Sequence, residues 1–313
     1  MVRSSVGSLV LHWICKFMQN VREYVRLTRC SHTRHRSARN AAHLDLHTFP
    51  TTGSVSVTGY ERLLGMPEPV VAVVVGAGLG LRYGGSVPKP ALKLTGRALL
   101  AMSVEAMASG GCTHAVVVIN ARVARRLGPT LAALPIPVIQ TYGGETRQTS
   151  VHNGLKIIRD HPLLSQAQVV LIHDAVRPMV PANVVAEVID AVRSGAAAVA
   201  PAVPVADSMR RQDDRGRTVS VDRSELRAVQ TPQGFPFEVI MAAHDRMAEL
   251  GASFTDDVSC VESAGHDVVL VPGSRLSMKI TEPTDLTVAR ALWKVRASFG
   301  HHSGRRIWRH FSR

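Results

Sequence analysis

The chain has 313 residues, 45% of them hydrophobic, and a formal net charge of +13. This length and apolar content suffice for a large buried core, and the chain lacks the run of about 18 apolar residues that a transmembrane helix needs. The charge lies at the ends: residues 1–65 hold nine Lys and Arg against three acidic residues, residues 294–313 hold six against none, and 66–293 is left at +1. Since the centre is nearly neutral and the basic ends show no aromatic interleaving, we do not expect nucleic acid as the main partner.

Residues 1–65 are rich in Arg, His, Ser and Thr and show no sustained hydrophobic periodicity. Three interpretations are open: a disordered basic extension, an organelle transit peptide, or a stretch upstream of a true start at Met66. We favour the start at Met66, because periodic sequence begins directly after it. A folded domain is then expected over 66–297, followed by a basic tail at 298–313. The four cysteines form no C-x-x-C pair, which predicts a cytoplasmic protein, or one of a plastid or other organelle if the transit peptide is genuine.

From Met66 onward, apolar runs alternate with segments of helical pattern. Strands are predicted at 70–76, 114–120, 137–141, 168–174, 196–204, 266–273 and 278–281. Helices are predicted near 98–110, 121–134, 149–161, 181–194, 236–251 and 283–297. The alternation predicts the α/β class, as a three-layer αβα, Rossmann-like domain with a mainly parallel twisted sheet. A more polar segment at about 205–228 interrupts this pattern and predicts a projecting β-arm.

The apolar run Val70–Val75 breaks into a glycine-rich loop that carries Arg82 and ends on Pro88-Lys89. Glycines let the backbone approach a ligand closely, and the loop's N–H groups and two cations could hold a polyphosphate. The loop lacks the third glycine and the downstream acid of a dinucleotide-binding fingerprint, and no P-loop Gly-Lys-Ser/Thr follows. The cations favour nucleotidyl transfer instead, in which fixed positive charge stabilises the transition state at an α-phosphorus. A structural turn with surface cations is the alternative.

Two further loops should meet the glycine loop, because ligands of such sheets lie beyond the carboxyl ends of the strands. In the loop at 142–150, Thr149 or Ser150 is expected to cap the helix that follows. After the next apolar strand, Asp174 is well placed to hold a magnesium ion or a ribose hydroxyl. A purely structural pair between Asp174 and Arg177 is the alternative.

Three polar positions later in the chain complete the set of candidates. Arg223 lies in the projecting arm. Thr255 or Asp256 is expected to cap a helix, and Lys279 is expected to end a strand.

Seven motifs, in order and spacing over roughly 68–293, resemble a known family. They are GAGLGLRYGGSVPK, GGETRQTSVHNGL, HDAVRP, VADSMR, VDRSELRAVQTPQGF, TDDVS and MKITEPTDL. The family is 2-C-methyl-D-erythritol 4-phosphate cytidylyltransferase, a nucleotidyltransferase of non-mevalonate isoprenoid biosynthesis. The resemblance implies transfer of a cytidylyl group from CTP to methylerythritol phosphate, with release of pyrophosphate. A related ribitol-5-phosphate cytidylyltransferase is the alternative, since the motifs for CTP would be shared.

The resemblance also implies how CTP would be bound. Its triphosphate would lie on Ala77, Gly78 and Gly80. The catalytic cations at the α-phosphorus would be Arg82 and Lys89. The remaining contacts, in the cytosine pocket and beside the ribose, would come from Gly144, Glu145, Arg147, Ser150, Asp174 and Ala175. Asp174 would in addition bind a magnesium ion.

On the acceptor side, the resemblance implies that the phosphate of methylerythritol phosphate is held by Arg223, Thr255 and Lys279, with Ser208 as a further substrate contact. Arg223 would come from the partner subunit of a homodimer, because the family's arm is exchanged between two copies. No general base would be needed, since the attacking phosphate is already ionised. The chain departs from the family pattern at five positions without losing an expected cation: Gly76, Leu81, Pro90, Ser208 and Ser277.

Overall fold

The structure is a computed structural model that describes residues 68–78 and 87–300, with side chains up to residue 295. The expectations for 1–65, for Gly80 and Arg82 and for the tail beyond residue 300 lie outside the described residues. Within the described ranges, no helix combines the length and the hydropathy needed to cross a bilayer.

Eight strands form one mixed sheet at the centre of the domain. The strands of the described residues are β1 (Val70–Gly76), β2 (Lys93–Leu94), β3 (Arg97–Ala98), β4 (His114–Ile119), β5 (Val138–Tyr142), β6 (Val169–Asp174), β7 (Ala198–Pro204), β8 (Met209–Gln212), β9 (Thr218–Val221), β10 (Arg227–Val229), β11 (Gln233–Pro236) and β12 (Val268–Pro272). The main sheet has the order β10-β7-β11-β6-β1-β4-β5, with β12 paired to β7. The pairs of β1 with β4 and β6, of β4 with β5 and of β12 with β7 are parallel, whereas β10 and β11 pair antiparallel. The predicted mainly parallel sheet is confirmed.

Helices cover both faces of this sheet. They are α1 (Leu99–Ser109), α2 (Ala121–Ala132), α3 (Arg147–Asp160), α4 (Ala182–Arg193), α5 (Phe237–Leu250), α6 (Asp257–Ser263) and α7 (Pro283–Gly300). Apolar side chains of α1, α2 and α4 form one core with Val70, Ala72 and Val74 of β1, and those of α3, α5 and α6 form a second core with Val71 and Val73. Because successive strand residues point to opposite faces, a strand buried on both sides must be apolar throughout. The predicted three layers are confirmed.

The polar segment forms a hairpin apart from the main sheet. β8 and β9 pair antiparallel with each other, and all their residues are exposed except Val221, which is half-buried. Two of the exposed side chains, Met209 and Val219, are large and apolar. The projecting β-arm is therefore confirmed as a structural element, while its role in dimerisation stays a prediction.

The strand predicted at 278–281 is wrong. A 3₁₀ turn at Arg275–Ser277 leads into an irregular stretch that continues to α7. Its backbone is held by the loop after β6, where the N–H of Ile280 donates to the carbonyl of Val176 at 2.9 Å. The apolar residues Met278 and Ile280 pack under that loop in a small core with α1 and α7. Lys279 is consequently presented from a loop and not from a strand end.

Candidate active site

An open cleft of about 800 Å³ lies beyond the carboxyl ends of β1, β4, β5 and β6. Strand β1 is flanked by β4 on one side and by β6 on the other, so the connections that follow these strands separate at this point. Such a switch in strand order is where open α/β sheets bind their ligands. The three loops that the sequence assigned to this edge do converge here.

The floor of the cleft depends on a close approach between two loops. A Cβ added to Gly143 would lie 2.2 Å from the Cβ of Ala77 and 2.7 Å from the Oγ of Ser150. Glycine is therefore required at position 143, because any side chain would push the loop after β5 away from the glycine loop.

Asn120 fixes the glycine loop from a second direction. Its Nδ2 donates to the carbonyl of Ala77 at 2.9 Å, and its Oδ1 accepts from the N–H of Val123 at 3.0 Å, which caps α2. Asn120 was not among the candidate residues, and it occupies the place of the acid that a dinucleotide-binding fingerprint would have. A polar residue directly after the buried strand β4 was the signal that could have identified it.

Helix α3 points its first turn at the cleft. The cap is Thr146 and not Thr149 or Ser150 as predicted: the Oγ1 of Thr146 accepts from the N–H of Thr149, and the Oγ1 of Thr149 accepts from the N–H of Thr146, both at 3.0 Å. Ser150 instead shapes the preceding loop, because its Oγ accepts from the N–H of Gly144 at 3.1 Å. Farther along α3, an added Cβ on Gly154 would lie 2.7 Å from Val73. The helix thus lies directly on the sheet, and its N-terminus can face an anion.

Asp174, at the end of β6, lies among three cations. Its Oδ1 is 3.4 Å from the Nε of Arg147, and its Oδ2 is 2.9 Å from the Nζ of Lys279 and 3.5 Å from the Nε of Arg177. Burial is the largest influence on the pKa of Asp174 and raises it, but the three cations together outweigh burial and hold that pKa well below its usual range. Asp174 is therefore ionised at neutral pH. Arg177 is thus a partner of Asp174, and Asp174 also lines the cleft, while its binding of a magnesium ion or a ribose hydroxyl stays a prediction.

Lys89 joins the first of the seven family motifs to the last. It lies in the 3₁₀ turn that closes the glycine loop, and its Nζ donates to the carbonyl of Thr281 at 3.4 Å. Thr281 is two residues beyond Lys279, so the cation of the first motif and the cation of the last motif line the same cleft.

His173, directly before Asp174, is a structural residue. It is fully buried, and its Nε2 lies 3.2 Å from the carbonyl of Arg177, which can only accept, so this nitrogen carries the proton. The N–H of Asp174 donates to the Oγ1 of Thr231, whose hydroxyl in turn donates to the Nδ1 of His173 at 3.1 Å. Burial, the main cause, lowers the pKa of His173 to about 4. The ring is neutral and is fully used in positioning Asp174.

The cleft collects many of the candidate residues but not all of them. Those that line it are Ala77, Gly78, Lys89, Gly144, Glu145, Arg147, Ser150, Asp174 and Lys279. Ala175 is buried, and its N–H and carbonyl are bonded to Val75 and Ser103. The exposed residues Thr255, Ser208 and Arg223 do not line the cleft of this single chain, and the guanidinium of Arg223 donates to the carbonyl of Ala206 in the arm.

Cations gathered in a cleft whose described lining includes no histidine suit a reaction whose nucleophile is already ionised, and on this fold they indicate a nucleotidyltransferase. The family model described as IspD, 2-C-methyl-D-erythritol 4-phosphate cytidylyltransferase, matches residues 70–294. The chain belongs to this family, which confirms the resemblance noted in the sequence.

Individual relatives agree with the family assignment. The 2-C-methyl-D-erythritol 4-phosphate cytidylyltransferase of Saccharopolyspora erythraea is 40% identical over 225 residues, covering 71% of this chain and 98% of the relative. That of Streptomyces coelicolor is 39% identical over 238 residues, covering 72% and 85%. Among solved structures, the enzyme of the same name from Thermus thermophilus is 30% identical with a TM-score of 0.57, covering 71% of this chain and 98% of that one. The 4-diphosphocytidyl-2C-methyl-D-erythritol synthase of Anaerococcus prevotii is 26% identical with a TM-score of 0.64, covering 72% and 96%.

Proposed function

We propose that this chain transfers a cytidylyl group from CTP to 2-C-methyl-D-erythritol 4-phosphate, giving 4-diphosphocytidyl-2-C-methyl-D-erythritol and pyrophosphate. A phosphate oxygen of the acceptor attacks the α-phosphorus of CTP in line, one P–O bond forms, and the bond to the β-phosphate breaks. The observation that carries the proposal is a pair of contacts in the cleft. Lys89 donates to the carbonyl of Thr281, and Lys279, two residues earlier, pairs with Asp174. The names of the relatives favour this acceptor over ribitol 5-phosphate.

On the nucleotide side, the triphosphate lies along Ala77 and Gly78 with Lys89 beside it. Gly144 and Glu145 offer the cytosine ring mainly backbone groups. The hydroxyl of Ser150 is already bonded within the loop, which supports a shaping role for this side chain rather than a direct contact with the base. Fixed donors of this kind stabilise developing charge without having to reorganise during the reaction.

On the acceptor side, Lys279 binds the phosphate of the methylerythritol. Its side chain is 44% exposed and extends into the cleft, so the ammonium can exchange Asp174 for a substrate phosphate. Arg223 lies in the arm with Ser208, and it reaches this phosphate only if a second copy contributes that arm; Thr255 lies outside the arm, just before α6. The proposal therefore includes a homodimer, and the exposed apolar residues Met209 and Val219 of the arm support it.

Magnesium is the proposed cofactor, and it would be bound by one protein carboxylate together with substrate phosphates. The described residues contain no group of three or more His, Cys, Asp and Glu side chains that could hold a metal ion by themselves. Mg²⁺ commonly takes one carboxylate together with phosphate oxygens of a substrate and water. Asp174 would supply that carboxylate, and the bound ion would neutralise charge on the phosphates. A cytoplasmic location is also part of the proposal, and the free thiols of Cys112 and Cys260 support it.

The direct test is an assay of purified protein with CTP and magnesium against two acceptors. We expect pyrophosphate release with methylerythritol phosphate and a product whose mass corresponds to the cytidine diphosphate conjugate. Ribitol 5-phosphate should support less than about a hundredth of that rate, because a hydrogen-bonding site discriminates by factors of this size or larger. Equal or faster turnover with ribitol 5-phosphate would reverse the assignment.

A further inference from the structure

Arg147 lies between two carboxylates, of which only one faces the cleft. Its Nε is 3.4 Å from the Oδ1 of Asp174, and its Nη2 is 2.7 Å from the Oδ2 of Asp257. The side chain of Asp257 is 2% exposed, whereas that of Arg147 is 28% exposed. Asp257 therefore reaches the cleft only through Arg147.

The main sheet holds Asp257 in place. The N–H groups of Asp257 and Val258 both donate to the Oε1 of Gln233 in β11, at 2.9 and 3.1 Å. The Nε2 of Gln233 donates to Asp256, and the Oδ1 of Asp256 accepts from the N–H of Ser259 and caps α6. Together these hydrogen bonds tie the start of α6 to β11, so the carboxylate of Asp257 is a fixed point behind the cleft.

The ring of His244 lies beside the other oxygen of this carboxylate. Its Nε2 lies 3.3 Å from the Oδ1 of Asp257, and its side chain is 1% exposed. Burial raises the pKa of Asp257, but Arg147 and His244 outweigh burial and keep that pKa below its usual range. Asp257 is thus ionised, and one of its two oxygens remains committed to Arg147.

The two carboxylates have different tasks in the electrostatics of the cleft. Asp174 is shared among Arg147, Lys279 and Arg177, so any phosphate or cation that enters the cleft changes its partners. Asp257 has no surface in the cleft and does not take part in that exchange. A guanidinium held by two carboxylates keeps its orientation when one of them takes another partner, since its planar donors can bind both at once.

We propose that Asp257 is a positioning residue that holds Arg147 against the nucleotide half of the cleft, so that Arg147 contacts CTP while Asp174 changes partners. This inference rests on the proposed function. Arg147 contacts the Oδ1 of Asp174, whereas Lys279 contacts its Oδ2. A substitution can therefore perturb the proposed nucleotide contacts without perturbing the proposed acceptor contacts. Loss of Asp257 should therefore weaken the binding of CTP and leave the binding of the acceptor nearly unchanged.

The test compares D257N, R147A, the double variant and the surface control D190N, whose side chain lies on the exposed side of α4. We expect D257N and R147A each to raise the KM for CTP at least tenfold and to leave the KM for methylerythritol phosphate within twofold. The double variant should be no worse than R147A, because Asp257 acts through Arg147. Additive losses, a selective rise in the acceptor KM, or wild-type kinetics in D257N would each overturn the inference.

R147K keeps the test decisive if D257N does not fold. A lysine retains the charge but has no planar fork to bridge two carboxylates, so R147K should raise the KM for CTP about as much as R147A. Wild-type kinetics in R147K would overturn the inference. Calorimetric Kd values for CTP on the same variants separate the two proposals. A wild type that binds CTP but does not turn over contradicts the proposed function alone, and one that does not bind CTP contradicts both.

Discussion

Lys279 and Asp174 form an ion pair at the centre of the cleft, with the Nζ of Lys279 2.9 Å from the Oδ2 of Asp174. The lysine lies in the irregular segment before α7 and the aspartate ends β6, so the pair joins two distant parts of the chain. In the free protein this ammonium neutralises a buried carboxylate. In the proposed reaction it takes the acceptor phosphate instead.

Replacing Lys279 by alanine should lower kcat/KM for methylerythritol phosphate at least a hundredfold. A preorganised cation contributes about 3 kcal/mol to a charged transition state, which corresponds to that factor. Steady-state kinetics with the acceptor varied at saturating CTP measures it. Lys93→Ala is the matched control, because Lys93 is an exposed lysine of β2 and should keep wild-type values. A variant of Lys279 with unchanged kcat/KM would contradict the assigned role.

Lys89→Ala should reduce turnover at least a hundredfold even at saturating concentrations of both substrates. In the proposed reaction Lys89 lies beside the triphosphate, where its charge counts most as the α-phosphorus becomes more crowded and negative. The measurement is kcat from pyrophosphate release, again with Lys93→Ala for comparison. If Lys89→Ala loses only affinity for its substrates and keeps a normal kcat, Lys89 contacts the bound substrate but does not stabilise the transition state.

Asn120→Asp should separate the two bonds that Asn120 makes. Aspartate remains a good helix cap, so the thermal unfolding midpoint should change little. It has no donor for the carbonyl of Ala77, and the glycine loop should lose one of its fixed points. We expect about a tenfold lower kcat/KM for CTP, whereas Asn120→Ser, which keeps both a cap and a hydroxyl donor, should lose less. Equal activity of wild type and Asn120→Asp would indicate that this bond does not position the loop.

His173 should make the folded protein less stable as the pH falls from about 6.5 to about 4. In the folded state its pKa is lowered to about 4, so the unfolded chain binds a proton in this range that the folded protein does not. The stability is fully present above the unfolded pKa and declines by about 3 kcal/mol down to the folded one. Chemical unfolding at a series of pH values measures the decline.

His173→Gln provides the comparison for that pH profile. The variant should be less stable at pH 7, because the glutamine cannot reproduce the bonds to Thr231 and Arg177. Its stability should nevertheless fall less between pH 6.5 and 4 than that of the wild type. Parallel profiles for the two proteins would show that His173 titrates normally.

The regular part of the fold could be predicted because its signals are local. Val70–Gly76 is apolar without interruption, and only a strand covered on both faces needs that pattern. The short antiparallel strands β10 and β11 could not be predicted, since their pairing depends on contacts with β7 and β6. Residues 278–281 alternate like a strand, yet their apolar side chains pack under a loop.

The lining of the cleft was predictable where one motif carries its own chemistry, as in Lys89, Asp174 and Lys279. The helix cap was ambiguous, because Thr146, Thr149 and Ser150 all carry a hydroxyl and only the backbone geometry selects Thr146. The pair of Arg147 with Asp257 is a tertiary contact that no spacing in the sequence indicates.

A substitution of Gly154 would move the helix that carries part of the cleft. An added Cβ there would lie 2.7 Å from the Cγ1 of Val73 and 2.9 Å from the Cγ2 of Val118, so even alanine would lift α3 away from β1 and β4. The first turn of the same helix carries Arg147 and Ser150, and it would be carried along with the rest of the helix. A substitution inside the core, at a position that does not line the cleft, would therefore displace two residues that do. A library restricted to cleft-lining residues would leave that position unsampled.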